Sequence, residues 1–243
     1  MSYNANNFAN REVCNLIFYD YATQTPMLYC DFANTTSNEL SGETLFAYGG
    51  WGHPKRIGFS GDRAGTLTIE TQISTMQLYA LATGGTLSTA AKFVKRVELT
   101  AGADGLTLDE TPVTDSVVVY AYTDDCGKEI EATVEGMKVS GANITDGQKY
   151  VVYYKVEMTT GVHAISLKST SFPKEVTVYA DTLVRDESGV DHSYRMVVYK
   201  AMPQPNMSFN FANNGDPGST TITLDLEADG DKNLIDYIMI DKE

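Results

Sequence analysis

Oxygen-bearing side chains recur at alternate positions late in the chain: Asp225, Glu227, Asp229, Asp231 and Asn233, then Asp236, with Gly230 inside the run. This is the spacing of a calcium loop, which takes ligands from positions 1, 3, 5, 7, 9 and 12 and needs glycine at position 6. Three features argue against that chemistry. The preceding Thr220 to Leu226 alternates like a strand rather than a helix. The last ligand position holds Asp236, shorter than the usual bidentate Glu, and Lys232 puts a positive charge in the loop. A strand end followed by a glycine turn accounts for the same residues. Asp225, Glu227, Asp229, Asp231 and Asn233 therefore form only a weak cation candidate, and no metal or cofactor is expected.

Other reactive groups are scattered. His53, His163 and His192 lack the HxxxH or HExxH spacing of a metal site and are expected to be ordinary surface or loop histidines. Gly58-Phe59-Ser60-Gly61 has a serine between glycines but not the spacing or strand–turn–helix setting of a nucleophile elbow. Cys14, Cys30 and Cys126 show no CxxC pattern and are expected to be free thiols in a reducing compartment. Glycosylation acceptors at Asn34, Asn143 and Asn206 carry no weight without secretion. With no phosphate loop, dinucleotide fingerprint or paired catalytic carboxylates, the chain is not expected to be an enzyme.

The charge balance limits partners. With 18 basic and 32 acidic residues the net charge is −14. Sequence-independent affinity for nucleic acid comes from Lys and Arg displacing counterions from phosphate, so this chain has the wrong sign to grip DNA. The cluster Lys92, Lys95 and Arg96 is too small to reverse that. An acidic protein suits a channel through which DNA passes without sticking. No stretch approaches the roughly 18 apolar residues of a membrane span. The start, Met1 to Val13, lacks the basic and apolar runs of a signal peptide, so a cytoplasmic site of synthesis is expected.

Period-two alternation defines the elements. Leu67 and Ile69 alternate with Thr66, Thr68 and Glu70. Val152, Tyr154, Val156 and Met158 alternate with Tyr153, Lys155 and Glu157. Val176, Val178 and Ala180 do so with Thr177 and Tyr179, and Ile222, Leu224 and Leu226 with Thr221, Thr223, Asp225 and Glu227. Asp104-Gly105, the 186–189 tip and the 213–218 run supply turns. The expectation is a mainly β, antiparallel fold.

One segment is helical. Ser74 and Gln77 have capping-box spacing, Ile73 and Leu78 are placed as a hydrophobic staple, and Gly84-Gly85 gives a left-handed stop. These predict a helix over about 75–83. Met76, Tyr79 and Ala80 form one apolar stripe and Leu78, Leu81 and Ala82 a second, so the helix is buried on two sides. Either its own domain encloses it or a neighbouring subunit covers one side.

Residues 34–62 read as a long loop, with glycines at 42, 49, 50, 52, 58 and 61 and little periodicity. Phe46, Tyr48, Trp51 and Phe59 sit among them. Aromatics on such a backbone serve an interface or fold back onto the core. Residues 110–170 read as a β insertion of short strands within a single domain spanning 1–243.

Three stretches together resemble phage tail tube (major tail) proteins. They are Ala64 to Gln72 with the short helix and Thr83-Gly84-Gly85; Val178 to Glu187 with Tyr194 to Met202; and Met207 to Phe211 with Ile222 to Gly230. The resemblance implies a β-sandwich or barrel with one flanking helix. It implies that six copies make a ring, that sheet edges join into a shared inner barrel, and that rings stack into a tube. Such a tube carries DNA and a tape-measure protein, meets terminator and baseplate proteins, and in some phages lies inside a sheath. The location implied is the virion tail, assembled in the host cytoplasm. Under that reading Phe46, Tyr48, Trp51, Phe59, Met76, Leu78, Tyr79 and Leu81 are the expected subunit interface, and Asp225 and Glu227 the lumen candidates. The insertion at 110–170 departs from shorter members of the family. A different class stays open: a β-sandwich that binds a receptor or saccharide through the 34–62 aromatics.

Overall fold

A computed structural model describes residues 7–207, 215 and 217–240. In chain order the first elements are β1 (Phe8–Asn10), β2 (Asn15–Asp20), β3 (Pro26–Cys30), β4 (Ala33–Tyr48), β5 (Lys55–Thr71), helix α1 (Met76–Thr83) and β6 (Thr86–Ser88). Next come β7 (Ala91–Thr100), β8 (Leu106–Thr107), β9 (Val118–Ala121), β10 (Glu129–Ile130), β11 (Thr133–Glu135), β12 (Lys138–Ser140) and β13 (Lys149–Met158). The last are β14 (Ala164–Ser166), β15 (Val176–Asp186), β16 (Asp191–Pro203), β17 (Thr220–Glu227) and β18 (Ile235–Ile240). The protein is mainly β with antiparallel pairing and one short helix among the described residues, and its sheets do not close into a barrel.

The chain forms two compact units, Met1–Leu87 with Ile165–Glu243, and Ser88–Ala164. The first is built on a sheet in the order β3-β2-β15-β16-β17-β5-β4, with β1 on β15 and β18 on β16. Alternation fixes its register. Ile222 pairs with Ile69 and Leu224 with Leu67, so four apolar side chains meet on one face, all 2% exposed or less. Leu16, Phe18, Val178, Ala180 and Val198 extend that core, and Leu78, Leu81 and Ala82 of α1 cover it. Burying each large aliphatic group contributes about 1.5–3 kcal/mol.

The helix falls where expected, with a different start. Its N-cap is Thr75, whose hydroxyl accepts from the Leu78 amide at 3.1 Å, while the Ser74 hydroxyl lies 3.3 Å from that of Thr220. The staple is absent: Leu78 is fully buried but Ile73 is 58% exposed. Gly84 ends the helix in the left-handed region, at φ 71°.

Residues 34–62 are not a loop. They lie almost wholly within β4 and β5, which form one long hairpin with its tip at 49–54. Period two was invisible because most of this ribbon has water on both faces, so nothing selects apolar residues at alternate positions. Of the expected closing segment, residues 208–211 lie outside the described residues, as do 213, 214 and 216 of the turn after it.

The second unit places β13 between β7 and β9, with β10 beyond β9, and adds the small sheet β11-β12-β8. Val119, Val139, Val152, Tyr154 and Val156 form its core. The Tyr154 hydroxyl donates to Glu110 at 3.1 Å, and Glu110 also pairs with Lys95. The unit starts at Ser88 rather than near 110 because β7 pairs residue for residue with β13. Phe93, Val94 and Val97 of β7 are interrupted by Lys95 and Arg96, which masks the strand in the sequence.

Candidate assembly surface

The β4–β5 hairpin changes character along its length. From Gly65 to Thr71, β5 lies between β4 and β17 and takes part in the core. Gly65 permits this junction: a β-carbon there would lie 2.8 Å from Leu40 Cδ2 and 3.1 Å from Leu226 Cδ2. Beyond that point β5 pairs with β4 alone among the described residues. At about 3.3 Å per residue the ribbon carries its tip roughly 25 Å past the Gly42–Arg63 pair.

Register sorts the side chains of this distal ribbon. Leu45 pairs with Phe59 and Ala47 with Ile57, placing these four on one face. Leu45, Ile57 and Phe59 are each more than half exposed. Phe46 pairs with Gly58 on the other face, where its ring crosses the glycine and carries the Lys55 ammonium 4.2 Å from its centroid. Trp51 stands fully exposed at the tip, held between the positive-φ residues Gly50, Gly52 and His53. Apolar side chains exposed together in this way are costly in an isolated chain.

The charge of the ribbon is also distinct. Residues 44–61 contain Lys55 and Arg56 and no carboxylate, a net +2 on a chain of −14, which leaves −16 on the rest.

The expected interface residues thus divide. Phe46, Tyr48, Trp51 and Phe59 are exposed together on the hairpin, and Met76 is exposed on α1. Tyr79 is half-buried. Leu78 and Leu81 are 0% and 4% exposed within this one chain, so they are core residues with no surface to offer a partner. Helical spacing showed two apolar stripes but not which of them faces the sheet.

A groove of about 370 Å³ runs beside α1, unforeseen in the sequence. Met27, Ala80, Leu81, Leu87 and Phe172 line it with apolar groups, and Gln77 and Lys174 also border it. The helix-ending glycines make it possible. A β-carbon on Gly84 would meet the Phe172 backbone, and one on Gly85 would meet the side chains of Ile165 and Leu167 at 2.7–2.8 Å. The segment from 165 to 173 can therefore lie against the end of the helix. Phe172 is 70% exposed and Leu87 46%.

The acidic candidates occupy a third surface. Asp225 shares a face with Thr66, its register partner, and accepts a hydrogen bond from Gln204 Nε2 at 2.8 Å. Glu227 lies 2.8 Å from Lys200 Nζ, which also meets Glu175 at 2.9 Å. These two carboxylates hold the Lys200 ammonium above its ordinary pKa. Across β4, β5 and β17 this face reads Ser37 and Glu39, then Thr66, Thr68 and Glu70, then Thr221, Thr223 and Asp225. It is a field of hydroxyls and carboxylates that no cation from these three strands enters.

The calcium-like run is a hydrogen-bonded turn. Asp229 Oδ1 accepts from the amides of Asp231 at 3.0 Å and Asn233 at 2.7 Å, and Oδ2 accepts from the Asn233 side chain at 3.1 Å. Asn233 donates where a calcium ligand must accept. Among the described residues no group of three or more His, Cys, Asp or Glu is arranged to hold a metal, and no helix is long and apolar enough to cross a membrane.

His192 is buried rather than superficial, with Nε2 2.6 Å from Asp186 Oδ2. Asp186 Oδ1 accepts from the Ser188 and Val190 amides, so the pair braces the β15–β16 turn. All three cysteines are free, and burial pushes the Cys14 and Cys30 thiols above their usual pKa.

A family model described as the YomU/Tube protein family matches residues 10–240. No curated protein matches the chain.

Proposed function

Since the chain belongs to the YomU/Tube protein family, a phage tail tube family, and is thereby a structural component of the virion tail, we propose that six copies close into a ring and that rings stack into the tail tube. The observation that carries the stacking is the distal β4–β5 hairpin, an apolar ribbon without a carboxylate from residue 44 to 61 that extends past its own sheet. Its Leu45, Ile57, Phe59 and Trp51 are spent on no contact in their own core.

Ring closure uses the sheet ends. Among the described residues β3 and β4 terminate the sheet order and each pairs along one edge only, a surface that otherwise templates uncontrolled aggregation. Joining such edges around a six-fold axis removes them and leaves two faces for growth. The hydroxyl and carboxylate face of β4, β5 and β17 then suits a lumen. It repels phosphate through Glu39, Glu70 and Asp225 and offers hydroxyls that water satisfies, so DNA slides without specific binding. The chain's partners are copies of itself, with tape-measure, terminator, baseplate and, in a contractile tail, sheath proteins. The role is structural, without cofactor or catalysis, and assembly takes place in the host cytoplasm.

Sedimentation velocity of Phe59→Asp beside the unaltered protein tests the hairpin's part. The expected result is loss of the largest assemblies with an unchanged melting temperature; unchanged assembly of Phe59→Asp would remove the hairpin from the account.

A further inference from the structure

We infer that a cleft at the root of the β4–β5 hairpin binds a small organic phosphate, a phosphate monoester carried on an apolar body. The cleft has a volume of about 440 Å³ and lies within the first unit of a single chain, so the inference stands apart from assembly. Leu40, Leu234 and Ile235 give it an apolar wall. Leu40 is 51% exposed, while Leu234 and Ile235 are half-buried against the first core. Arg63 and Lys232 also border the cleft, and no carboxylate does.

Charge selects the ligand. Other grooves on this chain of −14 set carboxylates against their cations. Arg185 meets Asp191 at 2.7 Å, with Glu12 bordering the same groove as Arg11. Arg195 meets Asp181 at 2.6 Å, and Lys174 meets Asp20 at 3.4 Å. Arg63 and Lys232 have no ion-pair partner among the described residues. Nearby acids are directed elsewhere. Glu39 shares the other face of β4 with its register partner Thr66, Asp62 alternates away from Arg63 along β5, and Asp229 accepts the amides of Asp231 and Asn233.

The backbone sets both cations in place. Arg63 pairs with Gly42, where a β-carbon would meet nothing within 4 Å, so the guanidinium has room to cross that strand. Lys232 sits in the left-handed region at φ 67°, its amide donating to the Asp229 carbonyl at 3.1 Å. Non-glycine residues held in that region concentrate at functional sites. Two cations balance a phosphate monoester, about −1.5 to −2 at neutral pH, and a guanidinium fork matches its oxygens. The apolar wall takes the esterified group, and the volume suits a small ligand. A phosphate held by Arg63 and Lys232 ties the root of the ribbon to the turn between β17 and β18.

Isothermal titration of the full-length protein with 1-naphthyl phosphate tests the site, with 1-naphthol and inorganic phosphate as its separate halves. The expected result is one saturable site per chain for the ester and binding roughly tenfold weaker or more for either half. Arg63→Gln and Lys232→Gln should each weaken the ester by roughly tenfold, whereas Lys174→Gln, in the groove beside α1, should not. Arg63 and Lys232 are solvent-exposed, and unchanged melting temperatures show that their variants fold. Absence of saturable binding, or binding that survives both substitutions unchanged, would overturn the inference. Inorganic phosphate that binds as tightly as the ester would also overturn it, because the apolar wall would then take no part. None of these outcomes bears on whether the chain forms tubes.

Discussion

A β-carbon on Gly84 would lie 2.2 Å from the carbonyl oxygen of Phe172, and the glycine itself sits at φ 71°. Two costs therefore fall on any substitution: left-handed strain of about 1–2 kcal/mol and a backbone clash. Gly84→Ala is expected to lower unfolding free energy by about 2–4 kcal/mol in chemical denaturation. Gly52, at φ 80° with open space around it, supplies the control: Gly52→Ala should cost about 1 kcal/mol. Equal losses at the two positions would show that Phe172 does not lie against the helix end.

The start of the helix gives a second prediction. Thr75 caps α1, whereas Ser74 bonds toward Thr220. Thr75→Ala should cost about 1 kcal/mol, within the range for losing a cap. Ser74→Ala should cost less, and a reversed order would return the cap to Ser74.

The two stripes of α1 should respond differently. Leu78→Ala removes a fully buried side chain and is expected to destabilise the isolated chain by about 2–5 kcal/mol. Met76→Ala, at a position 41% exposed, should stay within about 0.5 kcal/mol. Thermal melts of the two variants check this.

These contrasts show where the sequence was readable. Alternation at Leu67, Ile69, Ile222 and Leu224 predicted strands because one face of each is buried and selects apolar residues. Gly84 was recognisable as a stop because its backbone angle excludes most side chains. The long hairpin was not, since solvent on both faces of residues 42–61 leaves no period to detect. Nor could spacing decide that Leu78 and Leu81 face the sheet while Met76 faces outward; three-dimensional packing makes that choice. The groove depends on Phe172 meeting Gly84, residues far apart in sequence, and no local signal announces it. The exposed aromatics Phe46, Tyr48, Trp51 and Phe59 are legible as unusual composition, although the glycines around them suggest a loop where the backbone is a hairpin.

Acid should act through Asp20. Its Oδ1 accepts from the Ala22 and Thr23 amides at 3.0 Å each, and Oδ2 lies 3.4 Å from Lys174 Nζ. These contacts, led by the Thr23 amide, hold its pKa below the ordinary carboxylate value. A group depressed in the folded state stabilises fully above its unfolded pKa, about 3.9, and loses that contribution as pH falls through the folded value. Asp20→Asn keeps an acceptor for the turn but no charge. Its deficit in melting temperature should be present at pH 7 and shrink below about pH 4. A deficit independent of pH would assign Asp20 a purely structural role.

The projecting hairpin is proposed to build a tube from copies of this chain. Cryo-electron microscopy of the concentrated, unaltered protein measures this directly. The expected result is hollow tubes of stacked six-fold rings, with the ribbon around Trp51 and Phe59 crossing from one ring into the next. A protein that remains strictly monomeric at high concentration, with that ribbon free in solvent, would contradict it.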